Sequence, residues 1–320
     1  MISKMFKNVK NYDKTHKNHI LGCIVCGNSK FKFIFSDFDK YIEASKKEFF
    51  IFKCLKCNLI TIDPKISEED FGIYYPKNYI PFNLENKKEN NLKLKGTNLR
   101  DLLVNLFKID KVKLELNKFK YFEKKYLDFG CGNGRHLTHI RAEYPKWELY
   151  GYDKSEFSRN NLKKNNFNLI DNLENMPDNF LDIINLSSVI EHLKYPILDI
   201  TLLKKKLKLG GIIIIKTPNW KSFGRIIFRK NWINYDIPRH IHIFSSENLK
   251  KFLRNNGFEI LRFNYSYNIG VELKSIYRAL KIKKRPKFHN FLSKLFFPFG
   301  IFLNLTSLSS TITIVGKKND

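Results

Sequence analysis

The sequence predicts an α/β fold carrying a small cysteine-rich module at its N-terminus, and three stretches predict it. Residues 126–134 read Y-L-D-F-G-C-G-N-G: a short apolar run, an acid and three glycines at alternate positions, followed at once by a helical pattern. This describes a strand ending in a tight turn that aims a helix N-terminus at a ligand. Gly130, Gly132 and Gly134 reach backbone angles closed to other residues and let a ligand approach the main chain. Residues 209–219, L-G-G-I-I-I-I-K-T-P-N, place four isoleucines in succession, the mark of a strand buried on both faces of a helix-covered parallel sheet. Two C-x-x-C pairs, Cys23/Cys26 and Cys54/Cys57, stand well before both stretches.

From the start of the chain, M-I-S-K-M-F-K-N-V-K is basic but leads into no apolar stretch of secretion-signal length. No run long enough for a spanning helix follows either, so the expected compartment is the cytoplasm. The cysteine pairs are separated by 27 residues. Two thiolates three positions apart ligate one metal ion, and two such pairs complete a tetrahedral Zn2+ site with no open position. Gly27 and Asn58 suit the turns, and F-K-F-I-F and F-F-I-F-K between the pairs have strand character, so the segment resembles a zinc ribbon with a structural ion. Disulfides would need an oxidising compartment, and redox chemistry would need one pair rather than two. The fifth cysteine, Cys131, reads as a small residue in a crowded turn. Next come a tyrosine-rich stretch, D-F-G-I-Y-Y-P-K-N-Y-I-P-F (70–82), and a polar run at 83–98 with linker character. The expected division is 1–82 (ribbon-like module and tyrosine-rich segment), 83–119 (linker and helical segment) and 120–320 (large domain), with an insert at about 270–308.

A dinucleotide fingerprint requires G-x-G-x-x-G, and Arg135 occupies the place of its third glycine. The D-x-G-x-G-x-G found here instead resembles the cofactor loop of class I S-adenosylmethionine-dependent methyltransferases. Further marks of that family follow in its order, from about residue 120 to the C-terminus. They are a first helix at 133–142 with Leu137 and Ile140 on its buried face, a second strand closing on Asp153, and a third strand with its loop at 166–177. A fourth strand at 178–193 exits through Glu191-His192, and a helix from Pro196 to Leu207 is expected to end at Gly210-Gly211. After the isoleucine strand and T-P-N, residues 232–249 carry a P-x-H stretch before an F-S-x-x-x-L helix start, then a G-F turn at Gly257-Phe258. The resemblance implies a Rossmann-like sheet, mostly parallel with an antiparallel last strand (T-I-T-I-V-G-K-K), and S-adenosyl-L-methionine as cofactor.

It also implies residue roles. The loop of Gly130, Gly132 and Gly134 cups the cofactor, and Asp128 supports its amino-acid portion, directly or through the loop amides. Asp153 accepts both ribose hydroxyls, although its place before S-E-F-S-R-N suits a helix N-cap as well. Asp171 or Asn172 bonds the exocyclic amine of adenine, and Leu173 lies on the ring. In methyltransferases with an N-terminal cysteine ribbon, a tyrosine-rich segment folds over cofactor or substrate. Tyr74, Tyr75 and Tyr79 are therefore lid candidates, unless they only glue the ribbon to the large domain.

The chemistry sets further requirements. Methyl transfer from a sulfonium is an in-line displacement, so the enzyme holds the acceptor about 3 Å from the methyl group. A hydroxyl, or a carbon beside a carbonyl, must also lose a proton to a base, and histidine, with a pKa of about 6.5, is the usual choice. The candidates are His240, His242, Glu191 and His192. His240 ranks first because it follows Pro238 on the substrate side; helix-start duty explains Glu191-His192 equally well. Ribbon, tyrosine segment and core together resemble enzymes acting on sugars, including C-methyltransferases of nucleotide-linked deoxysugars and glycan-modifying relatives. The further large domain of those C-methyltransferases does not follow here, so O-methylation of a sugar or small metabolite stands beside C-methylation. Polysaccharide or secondary-metabolite synthesis is the expected setting.

An apolar fraction of 43% with 29 phenylalanines supports a sizeable core and excludes global disorder. The net charge of +27 invites nucleic acid, but only 11 of the 58 basic residues are arginine, the side chain that phosphate and base recognition favours. The lysines are scattered, as compositional drift on solvated faces would leave them, and no arginine falls between Cys23 and Cys57. An RNA methyltransferase using the ribbon as its RNA-binding module is the alternative that this argues against. A non-catalytic binding protein is argued against by the intact loop and Asp153. Near the C-terminus, K-I-K-K-R-P-K (281–287) precedes F-L-S-K-L-F-F-P-F-G-I-F-L-N-L (291–305). The latter forms either two short helices roofing the substrate pocket or an amphipathic element resting on a membrane, with lysines at its edge.

Overall fold

The computed structural model describes residues 22–43, 45–76, 111–282 and 286–319. The N-terminal module is a meander in which β1 (Phe31–Asp37) pairs antiparallel with β2 (Phe49–Cys54), and β2 with β3 (Ile60–Asp63). A single turn, α1 (Phe71–Tyr74), and a short helix, α2 (Lys111–Asn117), lead to the large domain. Strands and helices then alternate: β4 (Lys125–Phe129), α3 (Arg135–Glu143), β5 (Glu148–Tyr152), α4 (Glu156–Lys164), β6 (Asn168–Leu169), β7 (Leu181–Ser187), α5 (Pro196–Lys206) and β8 (Leu207–Pro218). The remainder comprises α6 (Phe223–Phe228), β9 (His242–Ile243), α7 (Ser246–Asn255), β10 (Phe258–Ser266), α8 (Ile269–Ala279), α9 (His289–Leu295), α10 (Phe297–Asn304) and β11 (Thr311–Lys318).

Seven strands form one sheet in the order β10-β11-β8-β7-β4-β5-β6. Strands β4 to β8 are parallel neighbours, while β11 runs antiparallel to both β8 and β10. The Rossmann-like sheet is thus mostly parallel, with its last strand slotted in reverse between β8 and β10. Successive side chains of a strand point to opposite faces, and here both faces are covered. Leu127, Ile184, Ile213 and Ile215 pack with Ile200 and Leu203 of α5 and Leu249 and Phe252 of α7. Their neighbours Tyr126, Ile183, Ile212 and Ile214 pack on the other face with Leu137 and Ile140 of α3 and Leu162 of α4. The four-isoleucine run is apolar throughout for that reason, each buried side chain contributing roughly 1.5–3 kcal/mol.

One expectation is corrected here. Helix α5 ends at Lys206 and β8 begins at Leu207, so Gly210 and Gly211 lie inside the strand rather than closing the helix. Leu207 already pairs with Leu181, and the next pair is Ile183 with Ile212, so the extra residues of β8 bulge out. Gly210, with φ 73°, supplies the left-handed backbone for that bulge.

Between β6 and β7 the chain reverses its direction of travel across the sheet, returning past β4. That topological switch leaves a crevice at the carboxyl ends of β4 and its neighbours, the usual ligand site of such sheets. The N-terminal module docks through β9, which adds to β3 in the registers Ile60 with Ile243 and Thr61 with His242. Trp232, Tyr235 and Ile237 of the large domain share a core with Phe49, Ile51 and Ile60. The cysteine turns are held by α7: Asn248 Nδ2 donates to the Cys57 carbonyl (2.7 Å) and Asn255 Nδ2 to that of Val25 (2.9 Å).

The insert forms α8, α9 and α10. Its inner side packs on the domain, with Leu303 buried and Gly300 seated against the Tyr267 ring. Its outer side leaves Phe291, Leu295, Phe302 and Leu305 each at least 60% exposed. Among the described residues, no helix is long and apolar enough to cross a membrane.

Candidate functional site

The glycine loop lies at the switch point. The amides of Gly130 and Cys131 donate to the Tyr152 carbonyl (2.7 and 3.2 Å), and that of Gly132 donates to Asp153 Oδ2 (2.8 Å). Gly134, at φ 77°, is the left-handed N-cap residue of α3. A Cβ on Gly130 would lie 2.6 Å from Val189 Cγ2, so the loop rests directly on the exit of β7.

Asp153 is therefore a brace as well as a candidate ligand-binding acid. Its Oδ1 accepts from the Ser155 amide (2.8 Å), and the N-cap residue of α4 is Ser155 rather than Asp153. Each carboxylate oxygen has two lone pairs, which leaves both oxygens able to accept one more donor. Burial raises its pKa. Asp153 lines a cleft of about 410 Å³ with Tyr152, Lys154, Arg159, Asp171 and, from the tyrosine-rich segment, Glu68 and Phe71.

Other expected contacts are redistributed. Asp128 is buried and accepts from Asn185 Nδ2 (2.8 Å); burial raises its pKa. The loop amides go to Tyr152 and Asp153, so support through them falls to those residues instead. Asp171 faces the cleft and pairs with Arg159. Asn172 is turned away, capping a 3-10 turn by accepting from the Glu174 amide (2.9 Å). Leu173 is 5% exposed and belongs to the main core, so it does not lie open for an adenine ring. Cys131 is a buried small residue of the loop whose thiol burial pushes up.

The tyrosines separate likewise. Tyr74 is 1% exposed, edge-on to Phe49 in the core of the module, which is the gluing role. Tyr75 stacks on Phe71 (4.4 Å between ring centroids), and its hydroxyl lies 3.1 Å from His192 Nδ1. Tyr79 lies outside the described residues.

The exit of β7 and the segment before β9 bring three of the four candidate bases together. Glu191 is fully buried; its Oε2 accepts from Thr217 Oγ1 (2.9 Å), and Oε1 has no partner among the described residues. The His192 and His240 rings meet edge to face at 4.6 Å. His240 Nδ1 is 2.7 Å from the Asn234 carbonyl, which assigns the ring proton to Nδ1 and the lone pair to Nε2. Burial raises the pKa of Glu191, and burial, reinforced by His240, pushes His192 down to about 3. His242 stands apart: it is 3% exposed in β9, with Nδ1 3.3 Å from Thr61 Oγ1, and burial pushes it down to about 3.

Sequence reasoning passed over the frame of this cluster. Arg239 is 0% exposed and forks onto Asp39 (2.9 and 3.0 Å) while also donating to Asp236 Oδ1 (2.6 and 3.0 Å). Against its burial, the Arg239 guanidinium holds Asp236 below the usual carboxylate range. Asp236 Oδ2 lies 3.8 Å from His240 Nε2. The D-x-x-R-H spacing at 236–240 was the available signal; Asp39 had none.

At the other end of the module, Cys23 Sγ is 3.4 Å from Cys57 Sγ, and Cys26 Sγ 3.6 Å from Cys54 Sγ. All four sulfurs lie within 4.8 Å of one another, and none is in a disulfide. Thiolates about 2.3 Å from a Zn2+ ion sit about 3.8 Å apart at the corners of a tetrahedron, so this set fits the ion.

The family described as "Methyltransferase domain" matches residues 93–262, more than half of the chain. Among solved structures the chain is similar to a SAM dependent methyltransferase from Archaeoglobus fulgidus, at 22% identity, covering 69% of this chain and 100% of that one, TM-score 0.44. It is also similar to a SAM-dependent methyltransferase from Thermotoga maritima (19% identity, 68% and 93% covered, TM-score 0.43). A third is the plantazolicin methyltransferase BamL (19% identity, 68% and 86% covered, TM-score 0.45). No curated protein matches.

Proposed function

The chain belongs to the methyltransferase domain family, and from that premise we propose that it carries the methyl group of S-adenosyl-L-methionine to an oxygen or acidic carbon of a sugar, nucleotide-sugar or related small molecule. The observation that carries this reading is the crevice itself. A glycine loop, a carboxylate with free lone pairs and a buried acid–base cluster converge on the carboxyl ends of adjacent strands. When bound, the cofactor supplies an electrophilic methyl group. Asp153 holds the ribose hydroxyls, Asp171 reaches the adenine amine, and the loop of Gly130, Gly132 and Gly134 leaves room for the rest. His240 Nε2 takes the acceptor's proton, with Tyr75 and His192 orienting the acceptor beside it. Phe71 and Tyr75, stacked together, form a wall that keeps water from the crevice.

The test is calorimetric. Wild-type protein is expected to bind S-adenosyl-L-methionine, and Asp153→Ala to bind it at least tenfold more weakly; equal affinities overturn the assignment. Labelled methyl groups are expected in a nucleotide-sugar pool and not in added RNA. Label in RNA would move the function to the RNA alternative.

Two further readings accompany it. Cys23, Cys26, Cys54 and Cys57 hold a structural Zn2+ that ties the turns of the 1–82 module; a saturated thiolate site has no position for a substrate. The outer side of α9 and α10 rests on an anionic membrane. Phe291, Leu295 and Phe302 provide apolar surface, with exposed Lys281 and Lys287 beside them. Co-sedimentation with vesicles containing phosphatidylglycerol is expected and should fall with added salt; no binding to such vesicles rejects this contact.

A further inference from the structure

We propose that Glu191, His192 and His240 form a second metal site, built for a divalent transition ion such as Zn2+, Fe2+ or Mn2+. One donor atom from each lies within 4.8 Å of the others. Bonds of about 2.1 Å place tetrahedral donors about 3.4 Å apart, so binding an ion draws these pairs together by up to about 1.4 Å.

What distinguishes this cluster from a chance meeting of polar groups is that each donor's other atom is already engaged. His240 Nδ1 is fixed by the Asn234 carbonyl, His192 Nδ1 by the Tyr75 hydroxyl, and Glu191 Oε2 by Thr217 Oγ1. Metal-binding imidazoles and carboxylates are held in this way, one atom on the ion and the other on an outer partner that sets its orientation and tautomer. An ion would take His240 Nε2 and Glu191 Oε1 together with the His192 ring, displacing the bond that this ring makes to the Arg239 backbone. Glu191 Oε1 is completely buried and has no hydrogen-bond partner among the described residues, an arrangement that native proteins seldom leave uncompensated. Charge points the same way: Arg239 is committed to Asp39 and Asp236, and among the described ion pairs no lysine or arginine meets Glu191.

Two imidazoles and a carboxylate form a borderline nitrogen–oxygen set that suits Zn2+, Fe2+ or Mn2+ rather than the all-oxygen shell of Ca2+ or Mg2+. Three protein ligands also leave a position open, unlike the saturated cysteine site. The cluster is close to the glycine loop in the fold: Val189, two residues before Glu191, is the side chain against Gly130. The use of the ion rests on the methyl-transfer reading, although the site itself does not. With the ion in place His240 Nε2 is a ligand in place of the base, and an acceptor hydroxyl bound to the ion loses its proton to solvent more readily. Its oxygen then forms the new O–CH3 bond as the CH3–S bond breaks, and the sulfur keeps that electron pair, becoming neutral.

The experiment uses full-length protein stripped with chelator and titrated with Co2+. Wild type is expected to bind two equivalents, one showing the thiolate-to-cobalt charge-transfer band of a cysteine site and one showing only weak visible bands. Glu191→Gln and His240→Ala are each expected to weaken the second equivalent at least tenfold and to leave the thiolate band intact, which also reports that the variants fold. A single equivalent in wild type, or a second equivalent unmoved in both variants, overturns the proposal. S-adenosyl-L-methionine binding by calorimetry on the same samples judges the cofactor reading separately, since failure of the metal site leaves that affinity unchanged.

Discussion

Replacing Arg239 by methionine is expected to destabilise the protein by about 3–5 kcal/mol, the usual cost of removing one partner from a buried ion network. This guanidinium donates twice to Asp39, twice to Asp236 and once to the Tyr74 carbonyl (3.4 Å). The thioether keeps much of the packing, so the loss comes from leaving Asp39, 0% exposed, and Asp236 without their counter-charge. Each is far costlier to bury unpaired than paired. Asp39 lies 200 residues away in the N-terminal module, so the damage should spread to the join between module and domain. Urea denaturation followed by tryptophan fluorescence is a suitable assay, because Trp220 and Trp232 sit in the core shared across that join. The double variant with Asp39→Asn should recover part of the loss, since it removes one stranded charge. The sign of the pH dependence follows from Asp236, whose pKa is depressed in the folded state. Its contribution is present above the unfolded carboxylate value of about 3.9 and is lost as pH falls through the lower folded value. A loss below about 1 kcal/mol, or no recovery in the double variant, would refute the reasoning.

Three other outcomes are expected. Gly130→Ala should cost about 1–3 kcal/mol in stability and abolish detectable S-adenosyl-L-methionine binding, because its Cβ meets Val189 at 2.6 Å and φ is 74°; thermal melting and calorimetry check both. Glu272 is 4% exposed, has no partner for either oxygen among the described residues, and burial pushes its pKa up to about 7. Stability should therefore fall as pH rises from about 4.3 to about 7, and Glu272→Gln should remove that slope and be about 2 kcal/mol more stable than wild type at pH 8, measured by urea titration. Cys54→Ser should lower the zinc content measured by mass spectrometry by one equivalent and expose the module to proteolysis before the large domain.

Much of the molecule is legible in its sequence, and each legible part rests on local chemistry. The glycine loop, the doubly buried isoleucine strand and the paired cysteines declare themselves because backbone freedom, two-sided burial and metal ligation restrict residue type over a few neighbouring positions. The grouping of Glu191 with His192 was visible as an adjacent pair, yet its meeting with His240 depended on the exit of β7 lying beside the segment that feeds β9. A di-glycine is the ordinary stop for a helix, whereas here α5 ends earlier because Leu207 is drawn into pairing with Leu181 across the sheet. Asp171 and Asn172 are equal candidates in the sequence; the fold turns Asn172 to a cap, and it puts Leu173, the expected ring contact, in the core. Sequence alone determined which elements exist and which chemical groups the molecule carries, since those choices are written in short-range patterns. Only the tertiary structure decided which groups face one another: Arg239 with Asp39, Tyr75 with His192, Thr217 with Glu191. Contacts between residues distant in the chain are set by the packing of whole elements, and no local pattern records them.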